Sequence, residues 1–396
     1  MQSTRKIFNW FVNKVCGGEQ GVILIAVLTL MVTLILVGAT TYIVSSSNVK
    51  ISANFKSSET ALQVAMAGAE KARETLRALN VASSDKTVFS TELAGRVGGN
   101  SVLNGNATAT DDLVLATGTL GSYTYNAYLT NNNVSGGDTW NSITDNDGIA
   151  TITTTATGPN GSKAVVTTLV KTYTIPSAPG AVYSKDNVIL NGSSLTINGN
   201  DASGCGGTNQ PPVYTENPAY TCYPGTTEPR CGNVNNANGP TLTGSPNVPQ
   251  YGTIDIDIST LVTELSKSAT DKVTADQTNA TFGSASDYRI VYADASALNN
   301  QDLRLNNVTG YGILVVLGNL QLAGNLTWNG PIIVTGTVTS SGGGSSPKNV
   351  TGQIIAGSSA LGDTTISGSI VVNYSSCALR DAYAVAPLRV VNWKQN

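Results

Sequence analysis

The sequence predicts an α+β chain: a long N-terminal helix, then an antiparallel β-sheet, then a β-solenoid-like C-terminal region. Three observations predict it. Residues Val22–Val44 form an uncharged run of 23 residues, and apolar positions continue beyond it at helical spacing to about Leu79. After Leu79 the period changes to two, as in YTYNAYLT over 123–130 and IATITTTA over 149–156. From Tyr311 onward apolar clusters recur, starting at Ile313, Ile332 and Ile354, with the starts 19 and 22 residues apart.

The apolar run extends about 35 Å as a helix, enough to cross a hydrocarbon core of roughly 30 Å. A secretory signal has an apolar core of only about 7–15 residues, so this run is too long to be one. The flank 1–21 carries Arg5, Lys6 and Lys14 against Glu19. The positive-inside rule keeps that flank in the cytoplasm and places everything after Val44 outside. Past the run, Phe55, Leu62, Ala65, Met66, Ala69, Ala72, Leu76 and Leu79 fall on one helical stripe. Glu70 and Arg73, and Glu74 and Arg77, stand three apart on the polar side. Such pairs add tenths of a kcal/mol. One continuous helix from Val22 to Leu79 would be close to 90 Å long. Gly38, followed by Ala39-Thr40-Thr41, weakens that helix; local unwinding and close helix–helix contact are equal expectations there.

Composition narrows the function classes. Of 396 residues only 12% are charged, against about 25% in a typical soluble protein. There are 41 glycines, the net charge is −3, and no Lys/Arg cluster suggests a nucleic-acid partner. The absence of His excludes Ser-His and Cys-His nucleophile pairs and imidazole metal sites. Asp287, Arg289, Asp294, Asp302 and Arg304 form no paired-carboxylate motif, so the chain reads as a non-enzyme with no cofactor. Of five cysteines, Cys16 precedes the apolar run. Cys205, Cys222, Cys231 and Cys377 read as two disulfides with three connectivities, or else as free buried thiols. Asp145 and Asp147, in Asp145-Asn146-Asp147-Gly148, have the oxygen donors of a calcium loop but lack the remaining ligands. A turn before a strand is the simpler reading.

Four parts follow: a leader over 1–21, the helix over 22–80, a sheet over 81–180, and a β-rich head over 181–396. The last boundary lies in Pro176-Ser177-Ala178-Pro179-Gly180. In the sheet, Ile149–Ala156 and Ala164–Tyr173 flank Gly158-Pro159-Asn160-Gly161 and form an antiparallel hairpin. In the head, the Gly/Pro/Asn-rich loop 201–250 carries three cysteines, and crosslinking would order it. Asp257 caps a short helix over Ser259–Ser268 that buries Leu261, Val262 and Leu265. Each repeat from Tyr311 onward can bury its apolar side only by stacking on the next; a β-sandwich is the competing arrangement.

The junction Gly17-Gly18-Glu19-Gln20-Gly21, followed at once by Val22, resembles that of the type IV prepilins. The Ala-rich extension Asn54–Arg73 is most similar to that of the PilX-like minor pilins. The resemblance implies cleavage by prepilin peptidase between Gly21 and Val22, methylation of Val22, and assembly with other pilins through the helix after residence in the inner membrane. It also implies an antiparallel sheet against the helix and a β-solenoid-like region beyond. Ala26 stands where most major pilins have Glu, at the fifth mature position. In the family that Glu meets the free amine of the preceding subunit; without it, a tip or initiating position follows. The head's Thr, Asn and Tyr offer contacts for a glycan or protein ligand. A pseudopilin of type II secretion and a membrane-anchored adhesin are the alternative readings.

Overall fold

The structure is a computed structural model. It describes residues 3–83, 86–94, 114–133, 137–139, 142–173, 178–191, 194–216, 240–254, 256–296, 298, 302–340, 348–357 and 363–395, and helical side chains from residue 24 onward. Cys222, Cys231, Pro176 and Ser177 lie outside the described residues.

Helix α1 runs unbroken from Ser3 to Ala82, 80 residues or about 120 Å. In the single chain it stays helical through Gly17, Gly18, Gly21 and Gly38, and it begins before the Val22 start expected from the apolar run. The short α2 (Ser90–Ala94) follows. Then come β1 (Val114–Leu120), β2 (Tyr123–Asn131), β3 (Ile149–Thr157) and β4 (Lys163–Lys171), all antiparallel neighbours. The hairpin of β3 and β4 has the expected register, with Ile149 opposite Lys171 and Ala156 opposite Ala164.

The second region is built from short parallel strands. The chain enters it at β5 (Val182–Ser184) and β6 (Val188–Asn191), and continues through β7 (Thr196–Asn198), β8 (Val213–Thr215), β9 (Thr241–Thr243) and β10 (Gln250–Tyr251). Helix α3 (Ile258–Lys267) leads to β11 (Asp271–Val273), β12 (Gln277–Thr278) and β13 (Thr281–Phe282). Strands β14 (Arg289–Asp294), β15 (Asp302–Asn306), β16 (Thr309–Leu317), β17 (Asn319–Ala323), β18 (Thr327–Val334), β19 (Val338–Ser340), β20 (Lys348–Ala356), β21 (Thr364–Ser367) and β22 (Ile370–Tyr374) return. One sheet runs β10-β8-β5-β20-β18-β16-β14-β11, with β7, β9, β13 and β22 branching from it; the other runs β12-β15-β17-β19-β21-β6. The chain therefore starts in the middle of the stack, builds outward to β10, and crosses by α3 to the far end. It then works back until β20 closes on β5.

The registers stack like on like. Val291, Leu314, Ile332, Ile354, Val182 and Val213 form one in-register ladder between the two sheets. The alternate residues Val315, Ile333, Ile355 and Tyr183 face the other way and pack under α3 and α4 (Ser376–Tyr383). Parallel strands covered on both faces read as continuous apolar runs, which is why ILVV and IIV recur in the sequence. The expected cap is present: the Asp257 carboxylate accepts the Thr260 N–H at 3.0 Å, and Leu261, Val262 and Leu265 are buried.

Two details of the stack were not expected. Gly312, Gly330 and Gly352 fall in one row with φ of +121°, +130° and +142°. A Cβ on Gly330 would stand 2.2 Å from the Gly312 carbonyl oxygen, and one on Gly352 would stand 2.3 Å from that of Gly330. The free edge of the Gly312 carbonyl takes the buried Trp328 indole N–H at 3.1 Å. Below this row Lys348 is 2% exposed, in register with Ile370 and beside Leu326, whose carbonyl accepts the Asn349 N–H. Burial holds the Lys348 amine below its ordinary pKa.

The chain ends on β23 (Arg389–Gln395), which pairs antiparallel with β4 as the fifth strand of the first sheet. The sequence boundary grouped this strand with 181–396. Its partner stands over 200 residues away, so nothing local in RVVNWKQ points to it. Cys205 is bonded to Cys377, tying the loop after β7 to α4.

Gly330→Ala is expected to destabilise the chain by about 2–4 kcal/mol, from a positive-φ strain plus a backbone clash, read as a lowered melting temperature. Lys348→Met is expected to stabilise it by about 1 kcal/mol at pH 7. The native amine is disfavoured when charged, so folding binds fewer protons. Native stability therefore rises as pH climbs from the depressed folded pKa toward the ordinary value of 10.5, and the gain from Met shrinks over that window. Denaturant midpoints at pH 7 and pH 10 check both the sign and the trend.

Candidate functional site: the projecting helix and its seat

The first described half of α1 touches nothing. From Leu24 to Val44 the large apolar side chains and Tyr42 are between 48% and 76% exposed. Burying a Leu, Ile or Val contributes roughly 1.5–3 kcal/mol, so a run of this length cannot rest in water. It needs lipid or other helices around it. Its mean hydropathy of 2.4 and its length suit a membrane span. The threonine hydroxyls in the run are satisfied inside the helix: Thr29 donates to the Ile25 carbonyl, Thr33 to Leu30, and Thr40 and Thr41 to Val37. None of these four seeks an outside partner, which lipid requires, and the exposed Tyr42 ring lies at the outer end of the run. Ala26 is exposed within the run, and no carboxylate occurs between Val22 and Ser58. Gly21 and Val22 lie within the helical backbone.

The second half is seated on the antiparallel sheet. Ala61, Val64, Ala65, Ala69, Ala72 and Leu76 are buried. This differs from the expected stripe. Phe55, Met66 and Leu79 face outward at 71%, 44% and 37% exposure, and Leu62 is half-buried. The reason is the aromatic sheet surface beneath the helix. Tyr123 and Tyr125 occupy the space, so only small residues fit opposite. At Gly68 a Cβ would stand 2.6 Å from the Tyr125 ring and 2.9 Å from the Thr154 methyl. Further along, Ala72 and Leu76 join Phe89, Leu93, Leu129, Ile152 and Val170 in a second cluster.

Two arginines of α1 hold the C-terminal segment. Arg73 donates to the Leu388 carbonyl at 2.8 Å, and Arg77 to the Val385 carbonyl at 3.2 Å. Glu70 and Glu74 hold the two guanidinium groups in place for this. The hydrogen bond from Arg77 keeps Glu74 below the usual carboxylate range despite partial burial. The pairs thus do more than add helix propensity. Lys86 and Asp381 make a further bridge at 2.9 Å between the loop after α1 and α4. Arg389 pairs with Glu264 of α3 at 3.0 Å and lies 5.6 Å over the Tyr173 ring. Burial, reinforced by Glu264 and opposed by Arg389, pushes the Tyr173 hydroxyl up to about 12.

The acidic turn lies beside this seat. Asp138, Asp145 and Asp147 bring carboxylate oxygens within 4.8 Å of one another. Asp145 accepts the Phe89 N–H at 2.7 Å and those of Asp147 and Gly148 at 3.0 and 2.9 Å. Asp138 accepts from Asn146, and Asp147 from Asn132 and Ile149. Burial raises the Asp145 pKa against these donors. The oxygens suit a hard cation, but N–H groups already engage them, as in a carboxylate-organised turn. The sequence reading named Asp145 and Asp147 and missed Asp138, whose place depends on the folded loop.

Among the described residues, the charged candidates of the head fall into separate local contacts. Asp287 and Asp271 pair with Arg289, and Asp294 accepts the Ser296 N–H.

No protein-family profile matches the chain, and no characterised protein does. Among solved structures it is similar to the competence-associated pilin ComZ from Thermus thermophilus. The identity is 11% over 86% of this chain and 98% of that one, and the TM-score is 0.23. So loose a superposition bears no weight; the geometry above does.

Gly68→Val is expected to lift α1 from Tyr125 and cost about 1–3 kcal/mol. The check is the melting temperature of the detergent-solubilised chain. Met66→Ala, on the outward side of the same turn, should leave it within a few tenths of a kcal/mol.

Proposed function

We propose that the chain is a minor type IV pilin-like structural subunit. Inserted in the inner membrane by Val22–Val44, it is trimmed by prepilin peptidase after Gly21 and assembles with other pilins through α1. One observation carries the reading: a single helix leaves its apolar half bare and seats its other half, through small residues, on an antiparallel sheet. A simple membrane anchor needs no such rigid continuity. A subunit that leaves the bilayer to bundle with similar helices does, because the head must move with the rod.

Ala26 supports a place at or near the filament tip. A carboxylate at that position would be costly in lipid until it met the amine of an earlier subunit, and that attraction would drive docking. A chain with Ala there loses nothing only if no earlier subunit needs to be met. We read the parallel stack as a β-solenoid-like head, supported by its in-register ladders and by turns that return each strand to the next layer. In this reading the head is the outermost part, 181–388 forms one unit, and it presents surfaces for adhesion. Cys222 and Cys231 form the second disulfide.

N-terminal sequencing of the mature native protein is the test. The expected first residue is Val22, with its amine methylated, and Gly21→Glu should leave Met1–Gly21 attached. Recovery of the native chain with those residues still present, in cells bearing normal fibres, would reject processing. Gold label along the whole shaft, instead of at its ends, would reject the tip placement.

A further inference from the structure

One face of the five-stranded sheet receives α1, and the other has a chemistry of its own. Along β2, β3 and β4 residues alternate: Ala127, Ala150, Ile152, Ala156, Val166 and Val170 point to the helix, and their neighbours point away, with Thr130 and Thr151 buried at one end of that face; β1 and β23 each carry a register shift. The outward positions line up across strands. Thr119, Thr124, Thr157 and Lys163 form one row, and Thr153, Thr167 and Lys394 another. Strands β1 to β4 and β23 contain Lys163, Lys171, Arg389 and Lys394 and not one Asp or Glu, in a chain whose net charge is −3. Arg389 is already paired with Glu264, which leaves three lysines for this face. Among the described residues the hydroxyls of Thr119, Thr153 and Thr155 have no partner, whereas Thr124 and Thr157 bond each other at 3.0 Å.

We propose that this outward face binds an acidic polysaccharide. Charge complementarity selects an anionic partner: cations without carboxylates attract carboxylate or sulfate groups. The hydroxyl rows, each group both donor and acceptor, match the hydroxyls of sugar rings. A nucleic acid fits less well. Among the described residues, Tyr128 at an outward position of β2 is only 7% exposed, and the exposed Trp393 is in register with Thr168 and Ile152 on the helix side, so these strands offer bases no stacking platform on this face. The surface consists of strands that α1 holds rigid from behind, so binding costs little ordering. This site lies apart from the bare helix, so it stands or falls independently of filament assembly.

The test uses the full-length chain in detergent micelles and fluorescein-labelled polygalacturonate, followed by anisotropy. Native protein should bind, more weakly as salt rises. The pair Lys163→Glu and Lys394→Glu should weaken binding about tenfold or more. Thr153→Val with Thr155→Val, at unchanged charge, should weaken it about fivefold or more, the loss of two neutral hydrogen bonds. All four side chains reach solvent, so melting temperatures should stay within a few degrees of native and report intact folding. The proposal is overturned if native protein does not bind polygalacturonate, if both variants bind it as the native chain does, or if a labelled oligonucleotide of equal charge binds more tightly.

Discussion

The seating of α1 on its sheet is the constraint on which the rest of the molecule depends. The helix is about 120 Å long, and its apolar half has no support from the chain itself. Whatever acts on that half reaches the head through Ala61 to Leu76. Small residues make this joint stiff. Ala and Gly let the helix backbone come down onto Tyr123, Tyr125 and the threonines of β3, where close contact gives dispersion energy over a wide area. Large side chains would hold the helix higher and leave gaps. The arginine contacts to 385 and 388 then fasten the head to the same stretch of helix, so rod, sheet and head are coupled at one place.

That coupling explains the path of the chain. The second region begins after β4 and ends at β23, and these two strands are neighbours. Force entering the head therefore returns to the sheet through two adjacent strands. Within the stack, the first-made strand β5 waits for β20, over 160 residues later, to complete its layer. The Cys205–Cys377 bond spans a sequence separation of 172 next to this closure. A crosslink over so long a loop removes about 5 kcal/mol of unfolded-state entropy in the chain-entropy account. Long-range parallel pairing is slow and poorly rewarded until closed, and the bond acts where closure is latest.

Local signals were legible and distant pairings were not. Alternation in IATITTTA and AVVTTLVK, with Gly-Pro-Asn-Gly between, was enough for β3 and β4 because hairpin partners are close in sequence. Asp257 announced its helix because a cap needs only three residues. The parallel ladders were visible as repeated ILVV-like runs, but the entry in mid-stack was not, since it depends on which end α3 reaches. β23 was missed for the same reason. At the seat, spacing alone found the helix and its end near Leu79 but not its start at Ser3, and it placed Ala65, Ala69, Ala72 and Leu76 on the buried side. Phe55, Met66 and Leu79 looked like core by hydrophobicity, yet around Gly68 the sheet's tyrosines leave room only for small residues. Lys348 gave no signal at all, because a lysine inside an apolar ladder goes against its own solvation preference.

The outward turn of Phe55, Met66 and Leu79 follows from the same packing. The helix past the membrane run has a narrow stripe of small residues that belongs to the sheet. Outside that stripe, Val49, Ile51, Phe55 and Met66 leave apolar surface exposed beyond the run, toward the head. An apolar surface that ended at Val44 would suit lipid alone. One that continues for several turns, beside the polar Glu70–Arg73 and Glu74–Arg77 pairs, suits a partner that is apolar near the membrane and mixed further out. Another helix of the same design has that character, and a bilayer, apolar through its core and then abruptly polar, does not.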